Sequence, residues 1–148
     1  MIGKIKYAPG TFASLAACLL FIILASFTNI TIIFLITFLI FIYSIVAINN
    51  SFHEFDSQDP REIVIDEVVG QMLALLAIPI YETLYPLPTM YYCFFVFVLF
   101  RFFDIWKPFP INYVDANVKG SLGIMLDDIV ASFYVIIILS VILFFLGG

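Results

Sequence analysis

A chain of 148 residues that is 64% hydrophobic and only 11% charged, with a mean hydropathy of +1.17, has too little polar surface for a water-soluble domain; its length fits one domain, residues 1–148. The formal net charge of −5, with no basic stripe, excludes a nucleic-acid binder. Cys18 and Cys93 lie inside apolar runs without a CxxC or Cys/His spacing, which excludes a disulfide framework and a zinc site.

In chain order, Lys4 and Lys6 precede Pro9, Gly10 and Thr11 and an apolar run to about Phe27. The run has the outline of a signal peptide, but four comparable runs follow it, so it is read as a first span. Asn29 interrupts, and an uncharged run from Ile30 to about Ile48 is a second span. The polar stretch from Asn49 to Arg61, which carries His53, Glu54 and Asp56, reads as a solvated loop. Pro60 stands before a third span from Glu62 to about Ile78, where Asp59, Glu62 and Asp66 share a helical face and Glu67 lies about 100° round. Gly70, one turn on, is suited to close approach of another helix. Pro79, Pro86 and Pro88 mark a loop holding Glu82. A Phe-rich fourth run from about Met90 to Trp106 carries Arg101 and Asp104. A connector with Lys107, Asp115 and Lys119 then leads to a fifth run, from about Ile124 to Leu146, with Asp127 and Asp128 in its first turn. All seven prolines fall at or outside the ends of these runs. The pattern predicts an all-α polytopic membrane protein, a bundle of about five transmembrane helices.

If the five runs cross alternately, all six basic residues fall on one side: Lys4, Lys6, Arg61, Arg101, Lys107 and Lys119. The positive-inside rule assigns that side to the cytoplasm. Every acid except Glu82 joins them, which predicts a polar site at the cytoplasmic face.

Asp66, Glu67, Asp104, Asp127 and Asp128 together are an excess of carboxylates that must protonate or recruit cations. Oxygen ligands with no nearby His or Cys suit Mg²⁺ better than Zn²⁺ or Cu²⁺. Arg101, Lys107 and Lys119 offer phosphate contacts, and Thr11 and Ser14 either touch phosphate through the Gly10 turn or bond their own helix. Arg101 with Asp104 also reads as a plain i,i+3 ion pair, and Asp127 with Asp128 as a helix cap. Asp66 and Glu67 are expected to lie deeper than a cap. One histidine cannot serve a two-histidine phosphatase, and no Asp-x-Asp or Cys-x5-Arg loop exists, so water activated by a carboxylate-bound metal is the simplest mechanism. An ion or proton carrier and a non-catalytic membrane subunit remain the competing classes.

The blocks PGTFASL at 9–15, IVIDEVVG at 63–70, FRFFDIWKPFPI at 100–111 and VKGSLGIMLDDIVAS at 118–132 resemble the phosphatidylglycerophosphatase A family. Ala13, Ser121 and Ser132 stand where that family usually has glycine. The resemblance implies Mg²⁺-dependent hydrolysis of the terminal phosphate monoester of phosphatidylglycerophosphate, giving phosphatidylglycerol and phosphate in a bacterial cytoplasmic membrane. It carries Asp66 and Glu67, then Arg101, Asp104 and Lys107, then Asp127 and Asp128 as motif positions. It does not by itself assign roles within the site; from residue chemistry, Asp66, Glu67, Asp127 and Asp128 are expected to be catalytic, the same four with Asp104 to be metal ligands, and Arg101, Lys107, Lys119 and Thr11 to be substrate contacts.

Overall fold

The computed structural model describes residues 9–51 and 64–147. Lys4, Lys6, His53, Glu54, Asp56, Asp59, Arg61 and Glu62 lie outside the described residues. Seven helices are present among the described ones: α1 (Pro9–Phe27), α2 (Ile30–Ser51), α3 (Ile65–Leu75), α4 (Ile78–Leu84), α5 (Thr89–Trp106), α6 (Ile111–Asn117) and α7 (Gly120–Gly147). Five stretches are long and apolar enough to cross a membrane, with α3 and α4 together making the third, Ile65–Leu84. The protein is an all-α polytopic membrane bundle.

α3 is its axis, packed chiefly against α7 and α1. Its inward residues Val69, Gly70, Gln71, Met72, Ala74 and Leu75 are all buried. The other face of the bundle is greasy: Leu39, Tyr43, Phe94 and Phe144 are among many exposed large apolar side chains, as a surface bathed in hydrocarbon requires.

Four boundaries differ from those read in the sequence. Pro79 is not outside the third span but inside it, in the first turn of α4. Without an N–H it cannot donate to the Leu75 carbonyl, so the helix breaks at Leu76 and Ala77 and restarts. α4 then ends at Leu84, where the Tyr92 hydroxyl donates to the Tyr85 carbonyl at 2.7 Å. The third span begins at Ile65, after a non-helical Val64, which puts Asp66 and Glu67 in its first turn rather than deeper. The connector after α5 contains a helix, α6, packed on α7. Finally α7 starts at Gly120, so Asp127 and Asp128 sit about two turns inside it and cap nothing.

Candidate functional site

The first turn of α3 presents Asp66 and Glu67 where unpaired backbone N–H groups and the helix dipole favour negative charge. Asp128 arrives at the same point from α7, and one oxygen from each of Asp66, Glu67 and Asp128 lies within 4.8 Å of the others. Because Asp128 is two turns into its helix while Asp66 and Glu67 begin theirs, the start of α7 overhangs α3 on the site side.

Two glycines make this convergence possible. A Cβ on Gly70 would stand 2.9 Å from Asp128 Cβ and 2.8 Å from Phe100 Cζ, so only glycine lets α7 bring Asp128 this close to α3. A Cβ on Gly10 would run into Glu67 Oε1 and stand 3.1 Å from Arg101 Nη1, so the turn at the start of α1 leaves the space that the Glu67 carboxylate and the guanidinium occupy. Ser132 fastens the α3–α7 contact, its hydroxyl oxygen lying 2.7 Å from both the Gly70 and the Asp128 carbonyls. Ala13 is fully buried and Ser121 nearly so, both within well-formed helices, so neither small side chain disturbs its element.

Around the three carboxylates stand the cations and their own acids. Arg101 forms an ion pair with Asp104, one turn on along α5. Asp104 and Asp127 are also close enough to Asp128 to act on it electrostatically, as Asp66 is. Lys107 Nζ donates to Asp127 Oδ2 at 2.6 Å and to Asp115 Oδ1 at 2.9 Å. Burial of that ammonium opposes its charge, but its hydrogen bonds to Asp127 and Asp115 outweigh the burial and hold its pKa above the ordinary lysine value. Lys107 ends α5 in the left-handed conformation, φ 46°, which a side chain rarely adopts. Asp127 Oδ1 also accepts from the Asp128 backbone N–H at 3.0 Å.

Of the expected site residues, Asp66, Glu67 and Asp128 come together as one carboxylate set. Asp127 faces Lys107, and Asp104 faces Arg101, both at the margin of that set. Thr11 is half-buried in the first turn of α1 beside Gly10, and Lys119 is exposed just before α7, making no ion pair with a described residue. Asp115 was visible in the connector but gave no sign of its partnership with Lys107, which depends on α6 being helical. Gln71 was missed altogether: one amide among apolar residues has no spacing to betray it.

Six carboxylates (Asp66, Glu67, Asp104, Asp115, Asp127, Asp128) thus face two cations, Arg101 and Lys107. Asp66 Oδ1 and Glu67 Oε2 are buried and have no hydrogen-bond partner among the described residues. Oxygen-only donors, spare lone pairs and surplus negative charge fit a hard divalent cation such as Mg²⁺. The free thiols of Cys18 and Cys93 belong to the buried core.

Residues 1–143 match the family described as Phosphatidylglycerophosphatase A. A phosphatidylglycerophosphatase A of Haemophilus influenzae is 38% identical over 136 residues, covering 92% of this chain and 79% of that protein. The Escherichia coli protein of the same name is 34% identical over 145 residues, covering 98% and 77%. A Bacteroides thetaiotaomicron protein, provisionally described as a phosphatidylinositol-3-phosphatase, is 32% identical over 142 residues, covering 94% and 86%. No solved structure matches the chain at a significant level.

Proposed function

The chain belongs to the phosphatidylglycerophosphatase A family of membrane lipid phosphatases, and from that premise we propose that it hydrolyses the terminal phosphate monoester of phosphatidylglycerophosphate with the help of Mg²⁺. The observation that supports this most is the meeting of Asp66, Glu67 and Asp128 oxygens within 4.8 Å beside two cationic side chains. In this reading the three carboxylates hold the ion, which when bound activates water and polarises a phosphoryl oxygen. Arg101 grips phosphate oxygens through its planar fork, and Lys107 supplies a compact positive charge. Asp104 and Asp127 keep these two side chains in place until phosphate arrives. Thr11 and Lys119 are outer contacts for the headgroup. Water adds to phosphorus, the ester P–O bond breaks, and the glycerol oxygen leaves with a proton, yielding phosphatidylglycerol and inorganic phosphate.

The site is assigned to the cytoplasmic side of a bacterial membrane, with the amino terminus on the same side, because every basic residue maps to that end of the spans. Reporter fusions after residues 28, 85 and 118 test this: cytoplasmic activity only at the last is expected, and the reverse pattern contradicts the orientation.

The relatives carry two different substrate names, so the headgroup is the sharpest test. Purified protein given phosphatidylglycerophosphate or phosphatidylinositol-3-phosphate, with Mg²⁺, is expected to release phosphate from the first and little from the second. The opposite preference would overturn the assigned substrate while leaving the phosphatase intact.

A further inference from the structure

Two polar side chains occupy positions a membrane helix tolerates poorly. Ser14 on α1 and Gln71 on α3 are both 0% exposed. Ser14 Oγ and both amide atoms of Gln71 have no hydrogen-bond partner among the described residues. Gln71 does lie beside the Cys18 thiol, but that thiol is directed to the Cys93 carbonyl at 3.9 Å, and sulfur is a weak partner for an amide. An unpaired amide in an apolar interior is costly, and in native proteins such groups usually find an ordered water.

The register of the two helices suggests what the pair serves. Gly10 faces Glu67 across the α1–α3 contact. Ser14 follows Gly10 by four residues and Gln71 follows Glu67 by four, so both lie about 6 Å deeper on the same facing stripes. Glu67 Oε2 is itself buried and unpaired among the described residues. That axial offset is comparable to the reach of one water through two hydrogen bonds of about 2.8 Å. A water there would donate to Glu67 Oε2 and accept from Gln71 Nε2, with Ser14 Oγ as a third partner, the number a buried water typically has.

We propose that Ser14 and Gln71 are positioning residues, holding one buried water beneath Glu67 that fixes its carboxylate toward the cation. The inference rests on the reading that Asp66, Glu67 and Asp128 hold a divalent ion. Partners that orient a metal ligand from behind usually matter about 10- to 100-fold in metal affinity.

The test is calorimetric titration of Mg²⁺, without lipid substrate, into the full chain in nanodiscs, for the wild type and for Gln71→Met, Ser14→Ala and Ser14→Thr. Gln71→Met is expected to weaken Mg²⁺ binding by about tenfold or more while the metal-free protein still folds, because methionine keeps the length and volume of the side chain and removes only its polar atoms. Ser14→Ala weakens it in the same direction, and Ser14→Thr, which keeps the hydroxyl, restores it. Mg²⁺ affinity in folded Gln71→Met within about twofold of wild type would overturn the proposal, since a merely structural glutamine leaves metal binding unmoved. If Gln71→Met does not fold, Ser14→Ala decides by the same criterion. A wild-type protein that binds no Mg²⁺ removes the cation site and this inference with it, whereas wild-type binding with unaffected variants removes the inference alone.

Discussion

Lys107 joins a left-handed backbone, φ 46°, to a side chain tied to Asp127 and Asp115. Backbone strain at a non-glycine residue persists only where its surroundings demand that side chain, and here the demand comes from Asp127, which is buried. Removing the lysine alone strands a buried carboxylate, the costly half of breaking an ion pair. Lys107→Met is therefore expected to destabilise the protein, and adding Asp127→Asn is expected to recover part of the loss. The coupling between the two changes should be about 0.5 to 3 kcal/mol in a double-mutant cycle of unfolding in detergent. Strictly additive losses would show that the pair does not interact in the folded protein. At this scale the sequence was most informative where chemistry is carried by residue type. Asp66, Glu67, Arg101, Lys107, Asp127 and Asp128 all stood out as charges in greasy surroundings. It did not reveal how they divide, because Asp127 and Asp128 are neighbours in the chain yet about 100° apart on α7, one turned to Lys107 and the other to α3.

The division is made by α3 and α7, and it depends on how closely they approach. Gly70 was legible as a place of close approach, and a Cβ there would meet Asp128 Cβ at 2.9 Å, an atom too near the α7 backbone to swing aside. Gly70→Ala is expected to cost about 1 to 3 kcal/mol, as overpacking usually does, and to lower phosphatase activity by moving Asp128 away from Asp66 and Glu67. Full activity with unchanged thermal stability would mean that the helices give way without disturbing the carboxylates. The starts of the helices were less legible than their interiors. Gly120 and Gly123 look like helix breakers, yet α7 runs through Gly123 and begins at Gly120, whose φ of 81° suits the entry from the preceding link. Pro79 misled in the other direction. A proline is taken to end a helix, but here it only resets one, and the span continues as α4. α6 is short and bracketed by Pro110 and the link to α7, so its seven residues carried too little periodicity to be seen.

On the scale of the whole molecule, alternating crossings put the starts of the first, third and fifth spans on one side, and those are the helices that pack as α1, α3 and α7. That topology, more than any single motif, brings Gly10, Glu67 and Asp128 to one end of the bundle. α7, with 28 residues at 1.5 Å each, exceeds a hydrocarbon core of about 30 Å, so its first turns can stand beyond the apolar layer and meet a lipid headgroup. In the proposed reading the lipid's phosphate then meets the carboxylates without leaving the interface, which suits a substrate anchored by its acyl chains. The central claim is that the Asp66, Glu67 and Asp128 set, loaded with Mg²⁺, removes a phosphate from such a lipid. It is tested most directly by phosphate release from phosphatidylglycerophosphate by wild type and folded Asp128→Asn, each with Mg²⁺ and after chelation. The expected result is release by the wild type with Mg²⁺, loss on chelation with recovery on Mg²⁺ readdition, and release reduced by about a hundredfold or more in Asp128→Asn. Release that survives both chelation and Asp128→Asn would contradict it.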